Sequence, residues 1–356
     1  MPRIGLVLGG GGITGTAFHA GVLTALAQQG WDARDAEVIV GTSAGSTSAA
    51  LLRAGFPPAE YLNRVSGRPV SAEASRVLDR IGSIPQPPRR RRGPLRPASP
   101  RLLRAVVGNP LRFPLGWRSR LLLPTGTISV DEVNPGFGPL FEEWPQRPMW
   151  ITAVNLGSGQ RTVFGRDAVT TVPLAVSASC AIPGYFSPID IDGERYVDGG
   201  AHSVCNLDLL AGPLPDGPPL DLILVSAPLS TTDPFALELG NIPRSPLRRQ
   251  LDREIAAVTR HGTPVVVFQP DSHLRHLMGL NSMDLAKRPA VGLAACELAA
   301  RVIREQSSGL MSRRTRDWVG APRIPGDNRR EPQKDRRRTA EGRAKPCASP
   351  QPPQRD

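Results

Sequence analysis

A serine lies between two glycines at Gly41-Thr42-Ser43-Ala44-Gly45, after the β-branched run Val38-Ile39-Val40 and before the small and aliphatic residues Gly45 to Leu52. A buried strand, a sharp turn and a tightly packed helix are expected there. In a G-x-S-x-G elbow the serine takes a strained backbone conformation. The positions two before and two after it, Gly41 and Gly45, must then lack side chains so that strand and helix can pass closely. Ser43 Oγ would project from the carboxyl end of a sheet toward the positive end of the following helix, a setting for a nucleophile.

A hydroxyl nucleophile needs a proton acceptor. The five histidines, His19, His202, His261, His273 and His276, stand in no setting that singles one out. Asp198 ends a β-rich segment and precedes Gly199 and Gly200, which let the backbone turn sharply and bring the carboxylate close to another loop. Read alone, it is an ordinary Asp-Gly turn. As a base it would have to work through short, desolvated contact with the serine.

The third piece is the glycine loop Gly10 to Gly15, GGGITG, directly after the apolar run Ile4 to Leu8. Successive glycines expose backbone N–H groups at a helix N-terminus, a cradle for an anion. In acyl transfer that anion is the tetrahedral oxyanion. Gly10, Gly12 and Gly15 also spell G-x-G-x-x-G, the dinucleotide fingerprint, so an NAD-binding oxidoreductase is the competing reading. That fingerprint expects an acid at the end of the second strand; Glu37 stands at its start, and the Ser43 elbow occupies its end. No Gly-Lys-Ser/Thr follows the loop, which excludes a Walker phosphate loop.

These pieces need a scaffold, and the remaining pattern supplies one. The chain opens as strand, glycine loop, helix (Gly15 to Gln29, read as amphipathic), strand, elbow, helix, the βαβα order of a parallel sheet covered on both faces. Further strands are expected at Trp150 to Val154, Gln160 to Phe164, Ile189 to Val197 (a pair turned at Asp192-Gly193), Leu220 to Val225 and Pro264 to Phe268. Helices are expected at Val172 to Ala178, Leu247 to Thr259 and Pro289 to Ile303.

The 356 residues, 40% hydrophobic, suffice for one large α/β domain with appendages. The four cysteines are dispersed with no CxxC pair, against a zinc site or disulfide scaffold and in keeping with a reducing cytosol. The opening apolar run is too short for a signal peptide and nothing approaches a transmembrane span, so a cytoplasmic protein is expected, with peripheral membrane contact as an option.

The net charge of +12 is unevenly placed. Arg64 to Arg120 carries 14 basic residues against Glu73 and Asp79, and Met311 to Asp356 is also basic, leaving an acidic body. Prolines and the run Arg89 to Arg92 mark an insertion at about 64–125. Its short apolar pieces, Leu102 to Val107 and Leu121 to Leu123, are suited to a cap over the site or to a plain surface excursion. The segment 311–356 reads as a disordered tail, after a catalytic domain spanning 1–310. Clustered cations attract anionic lipid or nucleic acid; arginine outnumbers lysine 41 to 3, so compositional bias is the alternative explanation.

Together, the loop at Gly10 to Gly15, the elbow at Gly41 to Gly45 and the D-G-G element at Asp198 to Gly200 resemble the patatin-like phospholipase family in order and spacing. Ala178 to Gly184, leading into Tyr196 to Gly200, looks like its bacterial members. The resemblance implies a three-layer α/β/α fold with a mainly parallel central sheet and hydrolysis of acyl esters in lipids by a Ser-Asp dyad. It implies no metal, no cofactor and no nucleic-acid partner. By it Ser43 is the nucleophile, Asp198 the base, and Gly10, Gly11 and Gly12 the oxyanion donors, with Gly15 and Ala44 beside them in the oxyanion and substrate-binding region. A catalytically idle lipid-binding relative is the non-enzyme alternative. Many members carry arginine or lysine just before the last glycine of the loop; Thr14 stands there, so a cation that would steady the loop is missing or comes from elsewhere.

Overall fold

A computed structural model of the protein describes residues 2–81, 126, 135–215, 217–233 and 244–308. The tail after residue 310, most of the basic insertion and its apolar pieces at 102–107 and 121–123 lie outside the described residues.

Among the described residues eight strands form one mixed, mostly parallel sheet: β1 (Ile4–Leu8), β2 (Val38–Gly41), β3 (Met149–Asn155), β4 (Arg161–Phe164), β5 (Ile189–Ile191), β6 (Glu194–Asp198), β7 (Leu222–Ser226) and β8 (Val265–Phe268). The order is β5-β6-β3-β2-β1-β7-β8, with β4 paired to β3. The centre, β3-β2-β1-β7-β8, is parallel, and β4, β5 and β6 are added antiparallel. The inner strands β1, β2 and β7 are buried along their whole length, which explains why they read as continuous apolar runs rather than alternating ones.

Eight α-helices accompany the sheet among the described residues: α1 (Gly12–Gln28), α2 (Ala44–Arg53), α3 (Tyr61–Val65), α4 (Ala72–Leu78), α5 (Val172–Cys180), α6 (Ser245–Thr259), α7 (Ser272–Met278) and α8 (Arg288–Ser308). They make the outer layers of an α/β/α sandwich. Leu6, Leu8, Ile39, Ile151 and Leu224 point to the face covered by α1, α2, α5 and α8. Val7, Val38, Val40, Ile223 and Val225 point to the other, with Leu251 and Val258 of α6.

Two expectations change. Helix α1 is not a half-exposed amphipathic helix: it is buried from Ala17 through Leu26 on all sides, between the sheet and α8. Its small residues permit that. A Cβ on Gly21 would stand 2.6 Å from the Cys296 nitrogen, so the α1–α8 backbones approach as closely as glycine allows. The fully buried Phe18, Leu23 and Leu26 each contribute roughly 1.5–3 kcal/mol. The start of the expected insertion also belongs to the body, because Tyr61, Val65, Ala74 and Val77 of α3 and α4 join the same core. No described helix is long and apolar enough to cross a membrane.

Register places the loops. Leu8 pairs with Gly41 and with Ser226, and Ser226 pairs with Phe268, so β1, β2, β7 and β8 end in one row. The glycine loop, the elbow and the segment from Ala227 emerge there together. Gly41 also pairs with Ile151, and two residues further along β3, Ala153 pairs with Asp198. The end of β6 is thereby carried to the same edge.

Candidate active site

Ser43 is the N-cap residue of α2 with φ 52° and ψ −119°, a left-handed conformation that ordinary side chains avoid. The flanking glycines make the turn possible. A Cβ on Gly41 would lie 2.7 Å from Ser46 Cα, and one on Gly45 would overlap the Leu8 carbonyl. The strained residue is held from two sides: its N–H donates to Ser179 Oγ of α5 at 2.8 Å, and its carbonyl accepts from Ser46 Oγ at 2.6 Å. Sequence reading missed Ser179, because a contact between positions 136 apart leaves no local pattern.

Asp198 and Ser43 line one pocket of about 310 Å³ and both are nearly buried, each 5% exposed. Burial pushes the Asp198 carboxyl up to about pH 6; hydrogen bonds from the Ser43 hydroxyl and the Gly200 N–H partly offset this. The Gly200 N–H donates to Asp198 Oδ1 at 2.7 Å. Gly199 is required for close approach, since a Cβ there would overlap the Thr152 hydroxyl. The hydroxyl and the carboxylate, 155 positions apart in the chain, are therefore brought together.

The glycine loop closes the third side. Gly10, Gly11 and Gly12 all line the pocket, with Gly11 the N-cap of α1. The Gly10 amide departs from expectation: it donates to the Val204 carbonyl at 2.7 Å and is not open to an oxyanion. Among the described residues the N–H groups of Gly11 and Gly12 meet no hydrogen-bond acceptor, as first-turn amides of a helix do not. Ala44, first residue of α2, likewise leaves its N–H without an acceptor among the described residues. Two helix N-termini thus border the pocket that Ser43 lines. Gly15 serves packing, lying against Pro228 and Ala44 with its N–H bonded to the Gly11 carbonyl.

One loop, Ser203 to Leu207, joins these pieces and was not singled out in the sequence. The Asn206 side chain donates to Thr42 Oγ1 at 3.1 Å, Thr152 Oγ1 at 3.2 Å and the Ser203 carbonyl at 2.6 Å, and accepts from Arg161 at 3.1 Å. It therefore ties the residue before Ser43 to the strand beside Asp198, while Val204 in the same loop holds Gly10. Glu254 of α6 anchors the loop from behind, accepting from Ser203 Oγ at 2.5 Å and from the Leu207 N–H at 2.9 Å. Burial drives its carboxyl up to about pH 7. A signal existed: Glu254 is three residues after Leu251 and four before Val258, on the stripe that α6 buries.

The absent loop cation also finds a context. Thr14 is buried and its N–H donates to the Ser282 carbonyl at 3.0 Å. The buried Arg244 guanidinium donates to the Pro228 and Ser230 carbonyls, and the Pro228 ring packs on Gly11 and Gly15.

Other groups do not compete for the chemistry. His19 is buried and neutral, held near pH 4 by desolvation; its Nε2 donates to the Gly9 carbonyl and its Nδ1 accepts from the Ser226 hydroxyl, both at 2.7 Å. Cys180 adjoins α2, but burial, reinforced by the Asp198 charge, pushes its thiol up to about 12. Glu37, the acid weighed for a ribose, stands just before β2 in an ion pair with Arg3 at 2.7 Å, at the opposite end of that strand from Ser43. Among the described residues no three His, Cys, Asp or Glu side chains are grouped to hold a metal ion.

Comparison with known proteins adds a lineage. The family model for patatin-like phospholipases matches residues 6–211. Three mycobacterial proteins, one from Mycobacterium bovis and two from strains of Mycobacterium tuberculosis, each described as an uncharacterized NTE family protein, are 29% identical over 199 residues. The match covers 56% of this chain and 43% of each of those proteins, so it spans less than half of their length. Among solved structures, VipD from Legionella pneumophila aligns with a TM-score of 0.42 at 12% identity, over 86% of this chain and 67% of that one. The type III effector ExoU aligns with a TM-score of 0.34 at 19% identity, over 86% and 53%.

Proposed function

The chain belongs to the patatin-like phospholipase family, and from that premise we propose that it is a serine hydrolase of lipid acyl esters in which Ser43 is the nucleophile and Asp198 the general base. The observation that carries this reading is the strained Ser43 in one pocket with a buried carboxyl whose pKa, about 6, suits a base working near neutral pH. Ser43 Oγ bonds to the ester carbonyl carbon as its proton passes to Asp198. The carbonyl oxygen becomes an oxyanion, received by the N–H groups of Gly11 and Gly12 and the helix ends that border the pocket. Collapse breaks the ester C–O bond, and the leaving alcohol takes the proton from Asp198. Water then adds to the acyl-enzyme, Asp198 accepts its proton, and the acid departs as Ser43 is restored.

Ile182, Pro183, Val204 and Leu229 line the same pocket, an apolar wall suited to an acyl chain. We assign the catalytic unit to residues 1–310, with 311–356 as a basic tail. The test is turnover of acyl esters of increasing chain length by wild type and by Ser43→Ala. The variant is expected to keep its fold and lose roughly a thousandfold or more in kcat. Undiminished turnover in Ser43→Ala would contradict the reading, as would NAD binding by a wild type that cleaves no ester.

A further inference from the structure

Four large apolar side chains are substantially exposed among the described residues, Val169, Leu174, Leu280 and Leu285, and two of them fall in one short segment between α7 and α8. Leu280 is 57% and Leu285 53% exposed. Ser282, between them, lines the pocket that holds Ser43. The segment is built rather than loose. Gly279 ends α7 at φ 61°, the Ser282 carbonyl accepts the Thr14 N–H, Asn281 Oδ1 accepts from the Met283 N–H at 3.1 Å, and Asp284 Oδ1 accepts from the Ala286 N–H at 3.0 Å. Its inner side is therefore fastened to the glycine loop, with Met283 against Gly12, while its outer side presents two leucines to solvent at the rim of the pocket.

The charge beside the leucines is positive. Lys287 donates to the Met278 carbonyl at 3.3 Å, and Arg288 follows at once. Burial, and to a smaller degree the field of Arg288, lowers the pKa of Arg64 of α3; its guanidinium lies over the Phe56 ring at 6.0 Å, and among the described residues neither arginine meets a carboxylate. Asp284, the acid of this segment, caps its short helical turn. An apolar pair flanked by the partly exposed Lys287 and Arg288 at the mouth of an apolar pocket matches a lipid surface, whose acyl region takes the leucines and whose anionic headgroups take those two cations, with the more deeply buried Arg64 adding to the positive field behind them.

We propose that the segment Gly279 to Arg288 is the surface by which the protein docks on an anionic lipid bilayer, with Leu280 and Leu285 inserted and the pocket mouth facing the membrane. The docking surface rests on the lipid-hydrolase reading for its purpose but not for its existence, since binding can be measured without turnover. This location differs from the arginine-rich insertion and tail, to which the sequence pointed.

The test uses the full chain with phosphatidylcholine vesicles containing phosphatidylserine. Sedimentation compares wild type with the double variant Leu280→Ser/Leu285→Ser, and p-nitrophenyl butyrate turnover follows the site independently of an interface. The double variant is expected to lose at least about tenfold in vesicle affinity, while turnover of the soluble ester stays within about twofold. Arg288→Gln should weaken binding to the anionic vesicles and leave binding to pure phosphatidylcholine unchanged. A single Leu280→Trp variant, which keeps the surface apolar, should show a blue shift of fluorescence on vesicles. Equal vesicle binding by wild type and double variant would overturn the proposal, as would an unshifted Leu280→Trp spectrum or a double variant that merely falls from dimer to monomer. Wild type that binds vesicles through these leucines yet hydrolyses neither ester nor lipid would leave the docking surface standing and remove the hydrolase reading.

Discussion

The two faces of the sheet are built on different principles. On the α1–α8 side the contacts are apolar and close, with Phe18, Leu23, Leu26, Val291, Ala295 and Cys296 fully buried and Gly21 set against α8. On the α6 side the apolar cluster is smaller, and polar groups run along its edge: Thr42, Thr152, Ser203, Asn206 and Glu254, all buried and all hydrogen-bonded. The first face holds the strands together. The second positions what their ends carry, because each link fixes both distance and direction where apolar packing fixes mainly volume. A site that needs three chain segments in register draws most of its ties from the directional face, with Ser179 of α5 and Ser46 of α2 reaching from the apolar face to hold Ser43 itself, and stability draws on the apolar contacts.

The division can be broken most strongly on the apolar side. Gly21→Leu would force a side chain into the α1–α8 contact, and the expected loss is about 3 kcal/mol or more of unfolding free energy, read by urea denaturation. The fraction that stays folded should keep its kcat. A fall in kcat at unchanged stability would erase the distinction between the faces.

Titration separates them next. Glu254 and Asp198 are both held above their ordinary carboxyl range by burial, to about 7 and about 6. A carboxyl whose pKa is raised by folding stabilises the native state fully below its unfolded pKa, and that contribution is lost as pH rises through the folded value. Stability should therefore fall between about pH 4 and pH 8, by roughly 3 kcal/mol for Glu254 alone, and Glu254→Gln should flatten that part of the curve. His19 works in the opposite sense: with a pKa lowered to about 4, it costs stability as pH falls below its ordinary value of 6.5. An unchanged slope in Glu254→Gln would assign the pH dependence elsewhere.

The mildest change sharpens the contrast on the polar side alone. Asn206→Ala leaves the Thr42–Thr152 hydroxyl pair, 2.9 Å apart, but removes their tie to the Ser203 to Leu207 loop. The expected loss is about 2 kcal/mol in the barrier, a fall in kcat of roughly thirtyfold with KM little changed. An equal effect on KM alone would make Asn206 a substrate contact instead of a positioning residue.

What could be read from the sequence was local. The elbow, the glycine loop and the Asp-Gly-Gly turn each announce themselves within a few residues, because backbone conformation there depends on neighbours in the chain. The strands appeared as β-branched runs for the same reason. Ser179, Asn206 and the closed Gly10 amide were not legible, since each acquires its role from a partner more than 50 positions away. Helix α7 was missed because its seven residues are too few to show a periodic stripe. Helix α1 reads as amphipathic from its sequence because its polar positions are threonines, glycines and a histidine, which a close-packed interior also accepts.

The most direct test of the central claim is the rate at which a fluorophosphonate phosphonylates Ser43, releasing fluoride, as a function of pH, in wild type and in Asp198→Asn. The wild-type rate is predicted to rise with pH along a single ionisation near 6, the value to which burial brings Asp198, and the folded variant should react about a thousandfold more slowly with no such ionisation. Asp198→Asn labelled at the wild-type rate, with the same pH profile, would show that the carboxylate takes no part and would contradict the account.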